Sequence, residues 1–560
     1  MSNPVALIIL PFAGALFGLF GKVLHGKRLW SILSVLPLAG MATLLVGFWP
    51  DVQGGEAILR TVGGWGSPIA IPISLDGFAW LSSALVVVIS SMVALAAFSN
   101  DRYGPTFFFF FMLLIAGMEA VVLTRDLFTM FVAFEIVAIA AYVLIAFDQT
   151  DAGLLASLKY LMLSSVGILF FLLGVFIVYR EFGTLSLDLV AARLVGSEPT
   201  LQGAIGTGGS RAVPFAIAAL CVGVGVRTAF IPFHTWLPEA HAYAPHPVSA
   251  ILSGVLIKVS LFAMIRIIAV FGADYFSELL VWIGAVTALA AVIWALAQSD
   301  GKRLLAYHSI SQMGYVVAAF GTALPLSPTA GVSHAINHAL FKSLLFLVVG
   351  SAISMTGERD LYKAKPIGRA APILALMLVV GALSIGGIPP FNGYTSKALI
   401  SQAMSGRTAY LFLQIAAVGT VASFIKLGRI ALPGRRLSEL GSEAPKRAGL
   451  MIHIPTLALG ALCLLAGLFW RPLSATYAAL LSPDAAQVST LPDVFSTSKL
   501  IDALIIVTAG IALYFLVVSK PGKASARVIK RIAPELRTVL LFFVFGFALF
   551  AIFAYVQPAW

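Results

Sequence analysis

Residues 223–262 read GVGVRTAFIPFHTWLPEAHAYAPHPVSAILSGVLIKVSLF. The flanks are apolar, yet Arg227 stands five positions before Pro232, a cluster of histidines follows, and Lys258 lies inside the second apolar run. A Lys or Arg at the centre of a membrane helix costs roughly 2.5–3.5 kcal/mol on insertion scales. Charges kept at that cost mark a path that uses them. Pro232 also breaks its helix, because proline has no N–H to donate and leaves carbonyls free.

The rest of the 560-residue chain carries the same pattern. It is 60% hydrophobic and 11% charged, where a soluble domain is roughly 25% charged. The chain therefore reads as an all-α polytopic membrane protein. Apolar windows of about 20 residues fall near 4–20, 29–49, 75–98, 105–123, 127–147, 153–179, 212–231, 245–270, 277–298, 304–323, 329–355, 372–404, 409–428, 451–470, 500–519 and 537–556. The first follows MSN without a basic region or cleavage site and reads as a retained helix. Lys and Arg concentrate in loops after odd-numbered helices, at Lys22, Lys27, Arg28, Lys302, Arg303, Arg435, Arg436 and the run KPGKASARVIKR. The positive-inside rule makes those loops cytoplasmic and puts both termini on the outer side. The net charge of +12 thus forms no single patch for nucleic acid.

Cys221 and Cys463 both sit in apolar helices, which excludes a Cys-ligated iron–sulfur cluster within this chain and argues against a disulfide. No phosphate loop, metal-ligand spacing or dinucleotide fingerprint stands out. Residues 50–74 read as a short external hairpin, and 180–211 as a short surface helix plus a Gly-rich linker.

A second broken helix matches the first. In LSIGGIPPFNGYTSKAL, Pro389 and Pro390 interrupt the twelfth window and Lys397 follows. Broken helices at matching places in two halves point to inverted repeats with an ion path between them. Between and around the breaks lie Glu135 in the middle of LFTMFVAFEIVAIAAYVLIAF, and His334, His338 and Lys342 at i, i+4 and i+8 on one helix. A further helix adds His308, Ser309, Ser311 and Gln312. An isolated carboxylate at the position of Glu135 must take up a proton or find a cation, and Arg227 and Lys258 are the candidates. Intramembrane Glu, His and Lys in series are what a proton relay requires. Arg227 is the exception, since its guanidinium stays protonated; it serves as a fixed charge. Lys159, Lys426, Glu119 and Arg266 read as residues near helix ends that snorkel to the interface.

Four motifs, RTAFIPFHTWLPEAHAYAPHPVSAILSGVLIK, KRLLAYHSISQMGY, HAINHALFKSLLFLVVGSAISMTGERDL and GGIPPFNGYTSK, in this order, resemble one family. It is the antiporter-like subunits shared by respiratory complex I, Mrp-type cation/proton antiporters and group 4 membrane-bound hydrogenases. The resemblance spans about residues 60–430. It implies a core of about fourteen helices built as two inverted five-helix repeats, with helices seven and twelve broken and about two further helices at the C-terminus. On this division residues 1–100 hold three leading helices, 101–270 and 271–430 the repeats, and 431–560 the C-terminal helices. Glu135, Lys258, His334, His338, Lys342 and Lys397 fall on the family's charged line, and Arg227 stands where the family usually has a lysine paired with the glutamate. HALFKSLLFL, TGERDL and His308 look closer to the hydrogenase and antiporter-D branches. A long lateral helix is not expected, because only residues 520–536 separate the last two windows.

The expected function is proton translocation through Glu135, Lys258, His308, His334, His338, Lys342 and Lys397, in a chain without cofactor, metal or redox centre of its own. Partner membrane subunits would supply the redox chemistry, in a bacterial or archaeal cytoplasmic membrane. The alternative is a Na+/H+ antiporter subunit without a redox partner. A haem protein using His308, His334 and His338 is the remote reading, since bis-His ligation needs facing histidines.

Overall fold

The structure is a computed structural model that describes residues 3–24, 26–65, 70–196, 212–271, 274–322, 324–434, 449–481, 491–531, 541 and 544–552. Arg435, Arg436, the Gly-rich linker after 196 and half of the last expected helix lie outside these residues; 544–552 are helical.

The chain opens with α1 (Ala6–Val23), then α2 (Lys27–Val35) and α3 (Pro37–Gln53), which form one span divided at Leu36, just before Pro37. Two antiparallel strands follow, β1 (Ile58–Val62) and β2 (Ile71–Leu75), with Ile58 opposite Leu75 and Val62 opposite Ile71. This is the expected hairpin. Next come α4 (Gly77–Ala97), α5 (Pro105–Leu123), α6 (Leu127–Ile145), α7 (Asp151–Phe182) and the short α8 (Leu187–Leu194). Asp76, Asp126 and Thr150 start α4, α6 and α7 by accepting the N–H three residues on, at 2.7, 2.7 and 3.1 Å.

The first broken helix is α9 (Ala212–Thr228) followed by α10 (Leu237–Tyr243). The span after it is continuous but irregular: α11 (His246–Ile251), a π-helical turn at Leu252–Leu256, and α12 (Ile257–Phe271). Then come α13 (Asp274–Ala297), α14 (Gly301–Gly321) and α15 (Ser327–Thr356). The second broken helix is α16 (Pro372–Gly386) and α17 (Asn392–Ala403), followed by α18 (Ala409–Gly428), α19 (Leu450–Leu468), α20 (Trp470–Leu481), α21 (Thr497–Val518) and α22 (Lys520–Arg531).

Among the described residues, eleven spans are long and apolar enough to cross a membrane, with three shorter apolar helices beside them. Leu169, Phe176, Leu504 and Phe515 point outward, as a lipid-solvated bundle requires. Inside, small residues let backbones close up. A Cβ at Gly284 would lie 2.4 Å from the Ala318 nitrogen and one at Gly314 2.5 Å from the Ala288 nitrogen, so α13 and α14 meet through glycine. The most enclosed elements are α15 and the 246–271 span, whereas α21 lies on the periphery. The enclosed pair carries Lys258, His334, His338 and Lys342.

Candidate functional site

The first break ends α9 with Arg227 in its last turn, 1% exposed. Its Nη2 donates to Glu135 Oε1 at 3.0 Å, and the guanidinium lies 5.1 Å from the centre of the Phe134 ring. Nη1 is buried without a hydrogen-bond partner. The carbonyl of Val226 accepts from the Trp236 indole N–H at 2.7 Å, so the broken helix end is satisfied by a side chain from beyond the break. Glu135 differs from expectation: its side chain is 38% exposed. Its neighbours Val132 and Ile139, one turn to either side, are also exposed. Glu135 is therefore on the outward face of α6, reached by a buried arginine from within.

Lys258 owes its surroundings to the π-turn. A π-turn inserts one residue into the helical ladder and redirects carbonyls. Here Lys258 Nζ donates to the Ser253 carbonyl, five residues back. Ser253 Oγ meets Ser309 Oγ of α14 at 2.7 Å, and Ser309 Oγ reaches the Leu305 carbonyl at 3.1 Å. The same carbonyl accepts from Lys342 Nζ of α15. Two buried lysines from different helices are thus joined by serines and carbonyls, with Lys342 also over the Phe346 ring at 5.6 Å. Among the described residues, no carboxylate pairs with either.

Further along α15, His334 is held at both nitrogens. Nδ1 is 2.9 Å from Ser396 Oγ on α17, and Nε2 is 3.1 Å from Gln312 Oε1 on α14. With both nitrogens engaged it has no free lone pair for a haem iron. The His338 ring lies 6.4 Å away, nearly parallel, and its own nitrogens are buried without partners. His308 is buried in the same condition, against Phe424 at 4.9 Å.

The second break is closed by two devices. Lys397 Nζ, from the second turn of α17, donates to the Ile385 carbonyl at 2.7 Å, placing a cation on the carbonyl end of α16. Asn337 of α15 donates to the Asn392 carbonyl at 2.9 Å, and Asn392 returns a bond to Asn337 Oδ1 at 3.2 Å. A Cβ at Gly393 would lie 1.7 Å from the Ser384 carbonyl oxygen, so only glycine lets α17 begin this close to α16.

The residues read as snorkelling divide. Lys159 does sit part-exposed, paired with Glu239 at 2.6 Å. The other three are buried. Lys426 is 1% exposed and caps α13 through the Leu296 and Gln298 carbonyls at 2.7 and 2.8 Å. Arg266 binds both Asp76 oxygens at 3.1 Å and the Val122 carbonyl at 2.5 Å. Glu119 is 0% exposed. Nearness to a helix end in sequence does not place a side chain at the lipid interface when other helices cover that end. Sequence reasoning also missed Ser253, Ser396, Asn337 and Asn392; their only signal was polarity inside apolar helices.

Residues 124–425 match the family described as NADH:quinone oxidoreductase/Mrp antiporter, transmembrane. The chain is 30% identical to the D-type subunit of the Na+/H+ antiporter of Alkalihalophilus pseudofirmus, over 84% of this chain and 95% of that one. It is 29% identical to hydrogenase-4 component B of Escherichia coli K12, over 76% of this chain and 64% of that one. Among solved structures, a chain of the membrane-bound sulfane sulfur reductase, an archaeal respiratory membrane complex, superposes with a TM-score of 0.75 at 27% identity, covering 90% of this chain and all of that one.

Proposed function

The chain belongs to the NADH:quinone oxidoreductase/Mrp antiporter family, and we propose that it moves protons through the series Glu135, Lys258, Lys342, His334 and Lys397. The observation that carries this reading is the pair of buried lysines, Lys258 and Lys342, linked through Ser253, Ser309 and the Leu305 carbonyl and, among the described residues, with no carboxylate between them. Two uncompensated ammonium groups cannot both rest comfortably in a dry interior. Each is stabilised by giving up its proton, and a proton that leaves one can be taken by the other. His308 and His338 provide further stations, reached through water. Arg227 is a fixed positive charge beside Glu135.

Broken helices α9/α10 and α16/α17 take equivalent places in two inverted repeats, at 101–270 and 271–430. Each has a cation beside its break: Arg227 in the last turn of α9, turned to Glu135, and Lys397 on the carbonyl end of α16. Redox chemistry in partner subunits of a complex I-like or hydrogenase-like assembly drives the movement; the likeness to a chain of a sulfane sulfur reductase complex supports this. Both termini face outward, following the basic loops. The test uses inverted membrane vesicles holding the whole assembly, with proton movement followed by a pH-sensitive dye. Turnover without any uncoupler-sensitive dye response overturns the reading.

A second reading is favoured by the relative named as part of a Na+/H+ antiporter: exchange of Na+ for H+ with no redox partner. Sodium flux in the same vesicles without an electron donor supports it, and its absence selects the first.

A further inference from the structure

Among the described residues, Glu119 is the one carboxylate whose side chain is fully buried, at 0% exposure. It lies on α5, a turn from that helix's end at Leu123, outside the Glu135–Lys397 series. Ser83 Oγ of α4 is 2.6 Å from Oε2, while Oε1 is buried with no hydrogen-bond partner. An ionised carboxylate in that setting needs a cation or several donors, and it has one hydroxyl.

The described elements packed around it supply no counter-charge. On α4, Ser82 gives its hydroxyl to the Phe78 carbonyl at 2.7 Å. On α12, Lys258 is turned to the Ser253 carbonyl, and Arg266 is taken up by Asp76 and the Val122 carbonyl. On α6, Glu135 faces Arg227. Gly18 and Gly14 of α1 lie against Phe109 and Met112, so the part of α1 level with Glu119 is its apolar start, near Leu7.

We propose that Glu119 is a second proton-holding site, a neutral carboxyl beside Ser83 that feeds Lys258 by a side branch along α4. Ser90 shares a face of α4 with Ser83, two turns deeper, and its Oγ is buried without a partner. The adjacent Ile89 packs on Gly254, inside the π-turn whose Ser253 carbonyl holds Lys258. Towards the other end, a small recess between α4, α5 and α12, lined by Phe78, Ser82, Val122, Phe262 and Arg266, has room for about one water a turn from Glu119. Loading adds one proton from water to the carboxylate and leaves it uncharged; release returns that proton and restores the anion. No other bond changes. The use made of the site rests on the proton-translocation reading, whereas the neutral carboxyl stands independently of it.

Infrared spectra of the full assembly in lipid nanodiscs at neutral pH separate a protonated carboxyl from ionised carboxylates by its C=O stretch. The wild type should show such a band, lost in E119Q, retained in E135Q and E119D, and shifted to higher frequency in S83A, where the hydrogen bond is gone. A spectrum of E119Q that superposes on the wild type overturns the neutral carboxyl. For the branch, proton transport by assembled E119Q should fall several-fold with E119D restoring most of it. Wild-type transport by E119Q overturns the branch. Failure of the main reading has a different signature: E135Q and K258R would keep transport while the Glu119 band remained.

Discussion

Arg227 places a guanidinium nitrogen 3.0 Å from a Glu135 carboxylate oxygen, with the arginine 1% exposed and the glutamate side chain 38% exposed. The pair is lopsided. Its cation is locked inside the bundle, while its anion opens towards whatever lies beside α6. A permanent charge thus stands beside a carboxylate whose other side is open.

From this asymmetry, Arg227→Lys should be tolerated better than Arg227→Met. Lysine restores the charge without the planar fork. Methionine leaves Glu135 uncompensated, at a cost below the about 3–5 kcal/mol typical of a fully buried pair, since this carboxylate is partly open. Proton pumping and assembly in native membranes check it; equal, near-normal pumping in both variants would show the charge at 227 to be dispensable.

Glu135→Gln should abolish pumping and leave assembly intact, because the carboxamide keeps the shape and removes the charge. Blue-native gels report assembly and dye quenching reports pumping. Coupled pumping at the wild-type rate rules out the role given to Glu135.

Lys258→Arg should lower coupled turnover by about an order of magnitude or more, equivalent to a barrier increase of about 1.4 kcal/mol or more. Arginine keeps the charge and the bond to the Ser253 carbonyl within reach, but it holds its proton. Near-normal coupled activity in this variant would make Lys258 a fixed charge. The same substitution at Lys397 should act in the same direction.

Asn392→Ala should destabilise the second break by about 1–3 kcal/mol, because Asn337 Oδ1 loses its donor inside the bundle. Thermal unfolding of the detergent-solubilised chain measures this. An unchanged midpoint would mean that water replaces the lost amide and that the clasp contributes nothing.

The sequence alone made the membrane class plain, because sustained apolar windows leave the backbone no partner but itself. It also placed both helix breaks, since proline acts locally: window 212–231 became α9, with α10 beyond Pro232, and window 372–404 became α16/α17. From the residues alone, Arg227 and Lys258 were both candidate partners for Glu135, and the family resemblance pointed to Arg227. Spacing within one helix gave the shared face of His334 and His338 correctly, as the ring stacking shows.

Burial and partnership across helices were decided by the tertiary structure. Glu135 looked central and lies on an outward face; Glu119, Arg266 and Lys426 looked peripheral and are buried. The π-turn before Lys258 left no mark in the sequence, since each residue of LSGVL also suits an ordinary helix. Hydropathy reports what a segment prefers as its solvent, and lipid and protein interior are nearly alike in that respect. Which apolar face meets lipid and which meets another helix is fixed only when the helices pack, and that packing determines which buried charges find each other.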